Sequence, residues 1–191
     1  MFNERMLVIY GGMVFTLFSL SLISLPTVSL AEQSQQRFKT YSDSEGRYEI
    51  GYPENWHVNE EPSKNNKDIT VQFDYGEPKL AASGDDITMP SIRIIVRDAL
   101  PDENSLERLS NKIVSNASLN PIVAIEESGY ANLSGYTAYA MKCIVQKEVS
   151  EMMWTLHNDN VYLIEYKANS LDYEFYLPAF QLMVNTFHLS S

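Results

Sequence analysis

The sequence predicts an α+β domain, a central antiparallel β-sheet with flanking helices, behind an export leader. Three observations carry this. Short segments that alternate apolar and polar residues succeed one another with turn-length gaps, as antiparallel strands do. Two stretches, 104–120 and 172–187, switch to a period near 3.6. Gly, Asn, Asp and Pro stand at the junctions. The 191 residues make about one domain once a leader is removed, enough to build a core without covalent staples.

Cys143 is the single cysteine, so no internal disulfide or thiolate cluster forms. It alternates with Tyr139, Met141 and Val145, which reads as a buried structural thiol and not a nucleophile. The formal net charge is −11, and residues 1–31 contribute one Glu and one Arg, so the imbalance belongs to the exported part. Nucleic acid is excluded as a partner, because no Lys/Arg cluster supplies the basic footprint a phosphate backbone requires. Acidity of this kind serves solubility and favours basic partners.

Residues 6–25 form an uncharged apolar run behind Arg5, followed by Pro26 and Ser29-Leu30-Ala31. The small residues at Ser29 and Ala31 suit signal peptidase. Residues 1–31 therefore read as a signal peptide, 32–37 as a polar linker and 38–191 as the domain. The run also approaches the ~20 residues that span a bilayer, which keeps an uncleaved anchor as the alternative.

Phe38 to Tyr41 open the domain, and Ser42 to Gly46 make a turn. Asp43 and Glu45 there fall short of the oxygen ligands a calcium loop needs. Tyr48, Ile50 and Tyr52 share one strand face, Pro53 ends the pairing, and Trp56 fixes where the next strand leaves the turn. Asn59 to Asp68 reads as a solvated hairpin loop, and Ile69, Val71, Phe73 and Tyr75 as the apolar side of a half-buried strand. Gly76 to Pro90, with Pro78, Gly84, Asp85 and Asp86, is long for a loop and is the first candidate for a partner contact. Ile92, Ile94 and Val96 oppose Arg93 and Arg97, so one face of the sheet is wet.

A helix capped by Asn104, with Glu107 three residues on, turns Leu106, Leu109, Ile113 and Ala117 to the sheet and ends by Asn120, before Pro121. Strands at 122–127, 130–133, 136–147, 151–157 and 161–168 then make a meander, with hairpin turns at Ser134-Gly135 and Asn158-Asp159-Asn160. The last helix carries Tyr173, Tyr176, Leu177, Phe180, Met183, Val184 and Phe187 on a wide apolar stripe. Pro178 favours a start near Leu177, where no N–H is missed, over a longer helix that kinks.

No catalytic, cofactor-binding or metal-binding residue is assigned. His57, His157 and His188 fall in different elements, and a zinc site needs three or four converging ligands. Neither a Gly-x-Ser-x-Gly elbow nor a glycine-rich phosphate cradle is present. Glu126-Glu127 and the Glu148/Glu151 pair are the carboxylates that acid–base chemistry could use. Neighbours on a strand point opposite ways, which makes the first pair edge charge. Asn116-Ala-Ser118 and Asn132-Leu-Ser134 match the N-glycosylation sequon.

Several of these stretches together resemble the PsbP family: Tyr48 to Trp56, Ser134-Gly135-Tyr136, Val161 to Tyr166, Tyr173, Tyr176-Leu-Pro-Ala-Phe180, Met183-Val184 and Asn185-Thr-Phe187. That family holds the extrinsic oxygen-evolving-complex subunit of photosystem II and its PsbP-like relatives. The resemblance covers about residues 38 to 190. It implies an α-β-α sandwich, where the strand faces alone would put helices mainly on one side. It also implies no catalysis, docking to a membrane protein complex and, in photosynthetic members, help with calcium and chloride retention. No metal-binding residue of the family matches a position here. The chain departs from the plant subunit in having no transit peptide and no long basic N-terminal extension.

The expectation is thus a non-catalytic, extracytoplasmic PsbP-like protein, secreted or membrane-associated, and lumenal in thylakoids if the source is photosynthetic. It docks on a membrane protein complex by peripheral association or through an N-terminal anchor. The alternative is an exported cation- or small-ligand-binding carrier using Asp85, Asp86, Asp98, Asp102 and Glu103. Calcium is the one cation left open; no other cofactor is expected.

Overall fold

A computed structural model describes residues 37–62, 69–76 and 89–190. The leader, nearly all of the linker, and the loop bearing Pro78, Gly84, Asp85 and Asp86 lie outside the described residues. Ten strands and two helices are present among them. The first two strands are β1 (Phe38–Ser42) and β2 (Tyr48–Pro53), followed by β3 (Trp56–Pro62), β4 (Ile69–Tyr75) and β5 (Ser91–Asp98). Helix α1 (Leu106–Leu119) leads to β6 (Val123–Leu133), β7 (Tyr136–Val145), β8 (Glu148–His157) and β9 (Asn160–Asn169), and helix α2 (Tyr173–Thr186) to β10 (His188–Leu189).

The predicted α+β class with flanking helices does not hold: the fold is β-rich, with two antiparallel sheets and only two helices among the described residues. Seven strands run in the order β3-β4-β5-β9-β8-β7-β6, and β1-β2-β10 form a separate sheet. The correction has a physical origin in residues 38–53. Their apolar side faces the large sheet instead of extending it: Tyr41 and Tyr52 meet Phe73, and Tyr48 meets Tyr162, at ring separations of 5.8, 5.2 and 6.4 Å. One cover layer is therefore part sheet, with α2 beside it.

The connection through α1 explains the strand order. After β5 the chain crosses through α1 to the far edge at β6, and the meander β6 to β9 returns to pair beside β5. Its turns are the two-residue kind. Ser134 and Gly135, then Asn158 and Asp159, take φ of 50°, 93°, 47° and 60°, as the twist of the flanking strands requires.

Helices contact both faces, not mainly one. On β9, Val161 is buried with α1's Leu109, while Tyr162, Ile164 and Tyr166 are buried with the α2 residues Tyr173, Phe180 and Met183. A central strand covered on both sides loses the clean alternation that a one-sided strand shows.

Four boundaries also differ. Ser105, not Asn104, caps α1, its Oγ accepting from the Arg108 N–H at 3.3 Å. The strands predicted at 122–127 and 130–133 are one, β6, because the extra residue Glu126 forms a bulge that keeps pairing with β7. Asn59 to Pro62 belong to β3 and not to a loop. Helix α2 starts at Tyr173 with Pro178 inside it. The Tyr173 ring stacks on Tyr166 at 5.2 Å and the Tyr166 hydroxyl donates to the Tyr173 carbonyl at 2.7 Å. These contacts hold the first turn although Pro178 offers no N–H.

Candidate interaction surface

Register brings polar side chains from five strands onto one face of the large sheet, since residues directly opposite one another share a face. One row runs Asn59, Gln72, Arg93, Glu165, Met152 and Met141; the next runs His57, Asp74, Ser91, Lys167, Ser150 and Cys143. Helix α1 covers the β6–β9 end of this face. There Leu109 packs with Met141, Trp154 and Val161, and the Trp154 indole N–H donates to the buried Ser110 Oγ at 3.0 Å. No helix of the described residues lies over the remainder.

That remainder is satisfied internally. The Arg93 guanidinium donates to the Glu165 carboxylate, through Nε at 3.0 Å, and Ser150 Oγ donates to Glu165 Oε1 at 2.9 Å. Gln72 Nε2 and Asn59 Nδ2 donate to the two oxygens of Asp74 at 2.7 and 3.0 Å. Lys167 pairs with Glu148 at 3.2 Å. Cys143 is buried, as its alternation predicted, and burial pushes its thiol pKa up, with Glu165 adding to the effect. A protonated thiol is a poor nucleophile. What this face offers is a set of placed donors and acceptors, suited to holding a surface of matching polarity.

Glu103 fixes the end of the face near α1. Only 2% exposed, it accepts from Arg97 Nη1 and Nη2 at 2.6 and 3.0 Å, from the Leu100 N–H at 3.1 Å, and pairs with Lys112 at 3.2 Å. The hydrogen bonds from Arg97 lead the effects that hold its pKa down to about 2. Asp102 pairs with the same Lys112 at 2.9 Å. Of the acidic set read as a cation carrier, then, Asp102 and Glu103 are committed to cations of the chain itself, Asp98 is exposed at the end of β5, and Asp85 and Asp86 lie outside the described residues.

The other singled-out residues stay apart. Asp43 is buried in its turn: burial works to raise its pKa, but Arg47, donating from its N–H, Nε and Nη2, outweighs this and holds it low. Among the described residues no three of His, Cys, Asp and Glu gather as metal ligands would. His157 contacts the Ser190 carbonyl at 3.2 Å, while His57 and His188 are exposed on β3 and β10. Glu148 and Glu151 leave β8 on opposite faces. In the two sequons, Ser118 Oγ donates to the Val114 carbonyl, Asn132 Oδ1 accepts from the Gly135 N–H, and Ser134 Oγ donates to the Val184 carbonyl.

Sequence reasoning missed one cluster on the opposite face. A shallow depression is lined by Glu127, Gly129, Ala140, Lys142 and Glu151 among others. Lys142 pairs with Glu126 at 3.2 Å and sits 4.8 Å over the Tyr173 ring, whose hydroxyl donates to Glu151. The signal was a lone lysine in the strand of Tyr139, Met141, Cys143 and Val145.

No protein-family profile matches the sequence, and no curated protein does. Solved structures share its fold. The chain is similar to the cyanobacterial PsbP protein CyanoP from Synechocystis sp. PCC 6803, at 15% identity and a TM-score of 0.56, over 88% of this chain and 99% of that one. The fold is PsbP-like. It is similar as well to LpqN of Mycobacterium tuberculosis, described as involved in cell envelope biogenesis, at 12% identity and a TM-score of 0.56, over 87% and 99%. The Ran-binding protein Mog1p of Saccharomyces cerevisiae is similar at 11% identity and a TM-score of 0.51, over 81% and 96%. At these identities the likeness concerns the fold alone. Among the described residues no helix is long and apolar enough to cross a membrane.

Proposed function

We propose that this chain is a non-catalytic, extracytoplasmic module that docks on a membrane protein complex through the polar face carrying Arg93, Glu165, Gln72 and Asp74. One observation carries the reading: beyond α1 this face has no helix over it among the described residues, yet its charges are held in place by one another. A preorganised polar surface loses little freedom on binding and gives specificity to its contacts. The PsbP-like fold and the apolar run at 6–25 support the extracytoplasmic placement, with residues 1–31 as leader or anchor and 38–191 as the binding domain.

The test is fractionation of cells of the source organism. The protein is expected in the membrane fraction and to be released by a high-salt wash if the leader is cleaved. A retained anchor would keep it there through salt and through alkaline carbonate. Recovery in the supernatant at low salt, with no membrane-bound pool, would refute the reading. Abolishing the ion pair with Arg93→Glu is expected to shift the protein toward the supernatant, because Glu165 is then left beside a second carboxylate.

A further inference from the structure

Helix α2 is apolar on both sides. Its inner side buries Tyr173, Phe180, Met183 and Val184. Its outer side presents Leu171, just ahead of the Asp172 cap, then Phe175, Pro178 and Leu182, all exposed or half-buried and spaced by four, three and four residues. That spacing lines Phe175, Pro178 and Leu182 up along one stripe of the helix, with Leu171 in the turn just before it. Leu171 is 91%, Phe175 73% and Leu182 43% exposed. The stripe runs between exposed polar positions, Glu174, Gln181 and Asn185 on one flank and Thr186 on the other, and apolar anchors at i, i+3 and i+7 within such a rim are what a helix shows to a receiving groove.

Charge decides among the candidate covers. Residues 171–186 contain no Lys or Arg, and the only charges are Asp172 and Glu174, at the start of the helix. Helices that lie on bilayers carry basic residues on their polar side, and each is worth about 1 kcal/mol at an anionic surface; here they are lacking. Two copies pressed together would bury little more than these four side chains each, short of the ~800 Å² per partner of a stable dimer. They would also give Asp172 and Glu174 no cation from the facing helix.

We infer that the outer stripe of α2 seats in an apolar groove of a partner protein whose rim carries Lys or Arg opposite Asp172 and Glu174. The inference rests on the docking reading above and adds to it a second contact of different chemistry.

The full-length chain is expressed in its own cells with the photoreactive residue p-benzoylphenylalanine at position 175, at 182, or at Ser115, which is exposed on α1. Positions 175 and 182 are expected to yield the same protein adduct and position 115 none. With that protein purified, calorimetry is expected to show affinity falling about tenfold or more for Phe175→Ser. For Glu174→Lys a loss that shrinks at high salt is expected. Circular dichroism should show both variants folded, with Tm lowered by no more than about 4 °C, since both side chains are exposed and Glu174→Lys loses only the first-turn charge. Adducts to lipid only, adducts to a second copy of this chain, or a partner that binds Phe175→Ser as tightly as the parent would each overturn it. If the protein is membrane-bound and salt-releasable while 175 and 182 give no protein adduct, the docking reading stands and this inference falls. If it is never membrane-bound, the docking reading falls with it.

Discussion

Glu103 shows how much one buried carboxylate does here. Its ordinary value of 4.5 is drawn down to about 2 in the fold, so the folded state holds it ionised where the unfolded chain would bind a proton. Its contribution is thus complete above about pH 4.5 and is lost as the pH falls toward 2. In urea titrations between pH 6 and pH 2.5, the parent is expected to lose stability more steeply than Glu103→Gln. At pH 7 that variant should be less stable by about 2–3 kcal/mol, the scale of hydrogen bonds to a charged group. Gly51 makes the second test. A Cβ there would come within 3.0 Å of Thr186 Oγ1, which accepts from the Gly51 N–H at 2.9 Å. Gly51→Ala should therefore cost about 1–3 kcal/mol in chemical denaturation. The dispersal of the three histidines and the burial of Cys143 were legible in the sequence. The role of Glu103 was not, because a solvated acid and a buried one look alike until Arg97 and Lys112 are known to converge on it.

Each helix sets polar contacts within an apolar one; α2 has several, from Tyr173, Val184 and Thr186. For α1 the contact is the bond from the Trp154 indole to Ser110, both side chains buried. Ser110→Ala leaves the indole N–H without that acceptor and is expected to lower stability by about 1–3 kcal/mol. Thermal melts of Ser110→Ala and Trp154→Phe together should show strong non-additivity, since the two residues share one interaction. The end of α1 was legible to the residue from Asn120 and Pro121. Its start missed by one, because Asn104 and Ser105 are both good caps and only the fold shows which side chain reaches Arg108. The start of α2 was misread for another reason: proline is a local signal, and it was overruled by the stacking of Tyr173 on Tyr166, a contact across two elements that spacing alone does not announce.

Across the whole molecule the two tryptophans report on opposite sides of the large sheet, Trp56 within the cluster under α2 and Trp154 within that under α1. Single-tryptophan variants Trp56→Phe and Trp154→Phe should therefore give coincident fluorescence and circular dichroism transitions in urea, as a two-state domain requires. Separate midpoints for the two probes would show that the faces unfold independently. The meander was legible because hairpin turns and strand alternation are local. The small sheet was not, because β2 pairs with β10 across more than a hundred residues, and nothing in Tyr48 or Leu189 alone points to the other. The bulge at Glu126 has its own consequence. It lies in β6, the outermost strand on one side of the seven. A straight, uncharged outer strand there would be a template for fibrous stacking of one molecule on the next. The bend and the acids Glu126 and Glu127 make that encounter fit badly, so a local irregularity of the backbone works against edge-to-edge stacking alongside the overall charge.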